Sequence, residues 1–200
     1  MTYFEMSQLS AELGLPPRFF VTRDKGEVAF AKLAEALQAQ PEESSLILQF
    51  PPKQIMDVSF ADETIIRLGQ AIVEGKYGRS RLLLAGLTQD SIDNINAAIR
   101  LHRLKLAFLA IKPAGEWEQI GHLEVSLREV LQMLAERPSL TAPELAEEKE
   151  LALNSANNRL KRLFDQRLIR REYEVSERGL IYIYHFWRWE DDEGADEQVN

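Results

Sequence analysis

The sequence predicts an α/β unit followed by a smaller α+β unit, on three observations. Over residues 1–112, short apolar runs alternate with helix-periodic stretches. After residue 124 the pattern changes to short helices with clear start signals, followed by two strands rich in β-branched and aromatic residues. Charge is partitioned in the same way: residues 154–189 carry a net +4, although the whole chain of 200 residues carries -8. Strands alternating with helices imply a largely parallel sheet built from βαβ units.

In the first unit, Arg18–Thr22, Ser45–Phe50, Arg81–Leu87 and Lys105–Ile111 read as strands. The last three are continuous apolar runs, the pattern of strands buried on both faces. Between them lie three helical patterns. Asp24–Gln38 sets Ala29, Phe30, Leu33 and Leu37 toward one side. Ser59–Glu74 spaces Ala61, Ile65, Leu68 and Ile72 at helical steps, and Gln89–His102 does the same with Ile92, Ile95 and Ile99. The first fifteen residues read equally as strand or helix. The segment "PAGEWEQIGHLE" (113–124) reads as a linker or a final edge segment. The expected boundaries are therefore 1–115 for the α/β unit, 116–124 for the linker, 125–189 for the second unit and 190–200 for an acidic tail.

The stretch "QFPPKQIMDVSFADE" (Gln49–Glu63) runs strand, turn, short extended piece and helix start. With the order of elements over about residues 17–111, it resembles the STAS-like fold of anti-sigma-factor antagonists and related bacterial regulators. The resemblance implies a mixed sheet with helices. It also implies that Asp57-Val58-Ser59 stands at the motif where a strand opens into a helix, and that Ser59 is a phosphorylation or regulatory site, with Asp57 beside it. From the residues alone, Ser59 needs no such role. It stands where an N-cap belongs, with Asp62 and Glu63 in the first turn to complement the helix dipole. A phosphate at a helix N-terminus is well accommodated, but these two acids would oppose it.

In the second unit, "SLRE" (Ser126–Glu129) and "TAPE" (Thr141–Glu144) read as capping boxes. Pro138 closes the first helix, and Pro143 falls in the first turn of the second, where it is tolerated. A third helix follows, "NSANNRLKRLFD" (Asn154–Asp165). Leu153, Ala156, Leu160, Leu163 and Phe164 fall on one side of it, and Asn154, Ser155, Asn158, Lys161 and Arg162 on the other, with Arg159 and Asn157 at the border. "LIRREYEV" and "LIYIYHFW" read as strands joined through "SERG" (Ser176–Gly179), with glycine where a positive φ is needed. Helix, helix, helix, strand, turn, strand resembles the winged helix-turn-helix family over about residues 125–187. The resemblance implies that Leu145–Glu150 is the supporting helix, that Asn154–Asp165 is the recognition helix and that Arg178 lies at the wing tip. Two positions depart from the family: Lys149-Glu150 stands where many members have Leu-Gly, and Ala152 where many have a serine cap.

Chemistry suits duplex DNA as partner. Arginine and lysine meet phosphates or guanine edges, asparagine pairs with adenine, and a recognition helix reads bases through its N-terminal residues. The expected DNA-binding set is Asn154, Ser155, Asn158, Arg159, Lys161, Arg162 and Arg178. One winged helix covers little surface, so a homodimer on a two-fold site is expected. The alternative is a partner-switch protein whose winged helix binds protein and not DNA. The tail "EDDEGADEQVN" is read as a solubilising segment, or as a competitor that folds back on the basic face. No cysteine is present, and no glycine-rich phosphate loop or nucleophile elbow occurs. His102, His122 and His185 lack metal-ligand spacing to one another, so no enzyme, metal or cofactor is expected. No run of about 18 apolar residues or signal-peptide pattern is present, which points to a cytoplasmic protein that does not enter a membrane.

Overall fold

The computed structural model describes residues 2–112, 116–176 and 179–187. Arg178 and the acidic segment 190–200 lie outside the described residues. The chain is mixed α/β and divides into two compact units, Met1–Leu123 and Glu124–Asn200. No helix among the described residues is long and apolar enough to cross a membrane.

The first unit opens with β1 (Thr2–Glu5) and α1 (Met6–Glu12), so the ambiguous first residues are strand and then helix. Next come β2 (Phe19–Phe20), α2 (Arg23–Gln38), β3 (Ser45–Gln49) and β4 (Ile55–Met56). The sheet has five strands in the order β1-β3-β5-β6-β7, with β5 at Arg81–Ala85, β6 at Ala107–Ile111 and β7 at Trp117–Gly121. The first four are parallel, and β7 runs antiparallel to β6. Residues 117–121 are thus an edge strand and not a linker, which moves the boundary from residue 115 to Leu123. The expected strand Arg18–Thr22 shrinks to Phe19–Phe20, which pairs only with β4 and stays outside the main sheet.

Register explains the core. Leu46, Leu82 and Phe108 lie in one cross-strand row with Ile120, and Leu48, Leu84 and Ala110 in the next. All seven join one buried cluster with Leu9 of α1, Leu33 and Leu37 of α2, and Ile95 and Ile99 of α5 (Gln89–Leu101). Each leucine, isoleucine and phenylalanine among them contributes about 1.5–3 kcal/mol on leaving water. β5 is buried along its whole length and β3 and β6 at all but the last residue, as their continuous apolar runs predict.

The stretch read as one helix from Ser59 is three pieces: α3 (Val58–Ala61), a π-helical turn (Asp62–Ile66) and α4 (Arg67–Val73). The π turn packs on α2 at Gly26, where a Cβ would come within 3.0 Å of Glu63 Cβ and 3.2 Å of the Phe60 backbone. Buried Thr64 donates to the Gly26 carbonyl at 3.0 Å, fastening the crossing.

The second unit is α6 (Val125–Ala135), β8 (Leu140–Thr141), α7 (Ala142–Glu148), α8 (Leu153–Asp165), β9 (Ile169–Ser176) and β10 (Gly179–Phe186). Its sheet is antiparallel in the order β8-β10-β9. Leu127, Val130 and Leu131 of α6, Leu145 of α7, and Leu160 and Leu163 of α8 are fully buried. The capping box on α7 forms as predicted: Glu144 N–H donates to Thr141 Oγ1, and Thr141 N–H to Glu144 Oε2 at 2.7 Å. The one expected at Ser126 does not. α6 begins two residues earlier than a Ser126 cap requires, with Glu124 as N-cap and no side-chain cap bond. The two-residue β8 was not legible in advance, because only its pairing with Ile183 and Tyr184 makes it a strand.

Candidate nucleic-acid interface and regulatory site

Helix α8 is built for a one-sided burial. Ala156, Leu160 and Leu163 are sealed, while Leu153, expected inside, is 50% exposed at the helix start. Asn154, Ser155, Asn157, Asn158, Lys161 and Arg162 are exposed, and Arg159 is half-buried. The predicted polar face is therefore one surface, apart from Arg178. Ala152 precedes the helix without a side-chain cap bond, and its carbonyl accepts from Ser155 N–H at 2.9 Å and Ala156 N–H at 3.2 Å.

Much of the positive charge on this face is already engaged. Arg162 makes a bidentate pair with Glu124, Nη1 donating to Oε2 at 2.8 Å and Nη2 to Oε1. That pairing raises the Arg162 pKa. Lys161 donates to Asp165 one turn on, at 2.5 Å. Arg159 alone of these cations has no ion pair among the described residues. Both partners of the Arg162–Glu124 pair are about 40% exposed or more, so a phosphate could displace the carboxylate at small cost.

The turn before α8 carries the departure noted above. Glu150 adopts φ +51, a left-handed conformation that glycine takes freely and other residues at a cost of about 1 kcal/mol. Beyond α8, Arg171 of β9 stacks between Phe164 and Tyr182, at 4.1 and 4.3 Å from the ring centres. Arg171 also bonds the Tyr184 hydroxyl, whose pKa is nonetheless pushed up by burial. This arginine ties the helix to the hairpin. Past it the hairpin turns apolar and open: Tyr173 is 65% exposed, Val175 80% and Leu180 50%.

In the first unit, the N-cap of α3 is Asp57 and not Ser59. Asp57 Oδ1 accepts from Phe60 N–H at 2.7 Å, and Oδ2 from Thr22 N–H at 2.9 Å. One carboxylate thus caps α3 and fastens Thr22, the residue before α2, which adopts φ 74, ψ 146, a strained conformation for a β-branched residue. Ser59 is half-buried in the first turn. Asp62 and Glu63, expected to oppose a phosphate there, are occupied: Asp62 by Arg23 and by His102 Nε2 at 2.9 Å, and Glu63 by Arg23 and Arg67. His102 is accordingly not isolated.

Sequence reasoning missed a third region. Arg100, Arg103, Lys105 and His122 stand around a concavity of about 310 Å³ floored by Ile99 and Leu104. The run "RLHRLK" (Arg100–Lys105) signals the cations, but not the hollow. Among the described residues no group of three or more His, Asp or Glu side chains could hold a metal ion. No protein-family model, curated protein or solved structure matches this chain.

Proposed function

We propose that this chain is a DNA-binding transcriptional regulator. In this reading the second unit is a winged helix with α8 as recognition helix, and the first is a STAS-like unit that senses a partner or a phosphorylation. One observation carries it: Asn154, Ser155 and Asn158 form an open polar surface on the N-terminal half of α8, with the half-buried Arg159 at its border. Those are the side chains that bond base edges and phosphates. The order α6, β8, α7, α8, β9, β10 supports the same reading, since it adds a short strand between the first two helices that can close the sheet. Ser59 is the candidate phosphorylation site, in the first turn of α3 with its neighbouring acids already neutralised. Asp57 caps α3 and holds Thr22 ahead of α2, beside that site.

The test is fluorescence anisotropy on mixed duplexes across a salt series. Arg159→Ala is expected to lower the slope of log K against log salt by about one, the mark of a lost phosphate contact. No binding by the wild type at low salt would end the reading.

A second reading rests on the hairpin. Tyr173, Val175, Leu180 and Tyr182 share one face of β9 and β10 and stay open to solvent. Such a patch suits a protein partner. A homodimer on a two-fold DNA site and a partner-switch protein that never meets DNA both use it. The anisotropy experiment separates them.

A further inference from the structure

The geometry points to a binding site in the first unit for a small phosphate-bearing anion, at the C-terminal end of α5. It is independent of whether α8 binds DNA.

The site is assembled from three pieces of backbone. The end of α5 supplies Ile99 and Arg100. The turn after it, with Arg103 at φ 52, supplies Arg103, Leu104 and Lys105. The end of β7 supplies His122, whose N–H donates to the Leu106 carbonyl at 2.8 Å. Gly121 makes this convergence possible. Its φ is +90, and a Cβ there would lie 2.4 Å from the Leu106 carbonyl oxygen and 2.7 Å from Ile99 Cδ1. Its N–H is held by Asn96 Oδ1 at 2.8 Å. Any side chain at 121 would push β7 off α5 and open the wall that carries His122.

What sets the cations here apart is that they gather at one hollow. Arg23, Lys32, Arg67, Lys76, Arg79 and Lys112 each face a carboxylate, and Lys25 donates to the Leu13 carbonyl. Arg100, Arg103 and Lys105 have no acidic partner among the described residues. Three cations around one hollow repel one another, an effect that solvent and the negative end of α5 offset in part and that a bound anion would relieve further. They are not needed as caps for α5 either. Its last carbonyls already accept from the backbone: Ala98 from His102 at 3.2 Å, Arg100 from Arg103 at 3.1 Å and Ile99 from Leu104 at 3.0 Å.

Shape and chemistry select the ligand class. Two guanidinium forks engage a tetrahedral dianion on two edges at once, with an ammonium and an imidazole N–H left for the remaining oxygens. A monocarboxylate would leave most of that charge unmet. The floor of Ile99 and Leu104 is apolar and suits a small organic group on the ester oxygen. A volume of about 310 Å³ accommodates a compact phosphomonoester.

The experiment is an amide NMR titration of the full chain with phenyl phosphate and, in parallel, inorganic phosphate, at constant ionic strength set by chloride. Saturable shifts are expected at residues 99–105 and 121–122. They should half-saturate at or below about 1 mM for phenyl phosphate. The pair Arg100→Gln and Arg103→Gln should weaken binding by at least about tenfold while leaving the spectrum of the sheet unchanged. Tighter binding of phenyl phosphate assigns the apolar floor to an organic group, and equal binding assigns the site to phosphate itself. Absence of saturation by either up to about 50 mM would overturn the proposal. So would saturation that the double substitution leaves unaltered, or a response only to duplex DNA.

Discussion

The exposed face of α8 and the hollow at the end of α5 both look basic in the sequence, yet they hold their charge differently. On α8, Arg162 and Lys161 lean on Glu124 and Asp165. At the end of α5, Arg100, Arg103 and Lys105 lean on nothing acidic among the described residues. A cation count therefore measures capacity and not availability. A paired arginine is an arginine in reserve, released when a stronger anion displaces its carboxylate. An unpaired cluster has no carboxylate to give up before an anion binds.

The largest expected effect concerns what holds α8 in place. If surface pairs were the main support, breaking them would unfold the unit. Leu160 is fully buried, so Leu160→Ala should cost about 2–5 kcal/mol in urea unfolding. Arg162→Ala should cost no more than about 1 kcal/mol, because its pair is largely exposed. Comparable losses for the two would show that the Glu124–Arg162 strut is structural and not held in reserve.

Next in size is the release of that reserve. Glu124→Gln keeps the fold, since Glu124 makes no side-chain cap bond to α6, but it surrenders the charged partner of Arg162. If α8 meets DNA, this change should steepen the salt dependence by about one and tighten low-salt binding by about three- to tenfold. An unchanged slope would place Arg162 away from the phosphates. Smaller again is Glu150→Gly. Relief of the left-handed strain at φ +51 should raise unfolding stability by up to about 1 kcal/mol, measured by urea midpoint at constant m-value.

These contrasts also mark what could be read from residues alone. Continuous apolar runs announced β3, β5 and β6, and spacing announced α5 and α8, because burial acts on pattern directly. The capping box at Thr141 was legible because a proline in the first turn marks where that helix starts, a signal that the same spacing at Ser126 lacks. What escaped depends on distant chain. β7 becomes a strand by pairing with β6, and β8 by pairing with β10. The π turn answers to the close crossing at Gly26. Of the candidate face on α8, its exposed positions were legible, while the Arg162–Glu124 pair spans 38 residues and was not. The hollow beside α5 needed Gly121, on another strand, to bring His122 across.

The smallest effect tests whether paired charge matters to the second unit at all. Arg137 forms a bidentate pair with Glu148 at 2.8 and 3.0 Å, joining the segment after α6 to the last residue of α7. The Arg137 hydrogen bonds hold the Glu148 carboxyl below its ordinary value of 4.5. The unfolded chain therefore takes up this proton at a higher pH than the folded one does. It follows that the pair's contribution is complete above about pH 4.5 and fades as pH falls through the lower folded value. Glu148→Gln should flatten the acid side of a plot of urea midpoint against pH, with little change near pH 7 beyond a small uniform offset. A wild type and variant that lose stability in parallel between about pH 5 and pH 3 would show that Glu148 titrates alike in both states. The pair would then be a solvated contact that does not distinguish the folded from the unfolded chain.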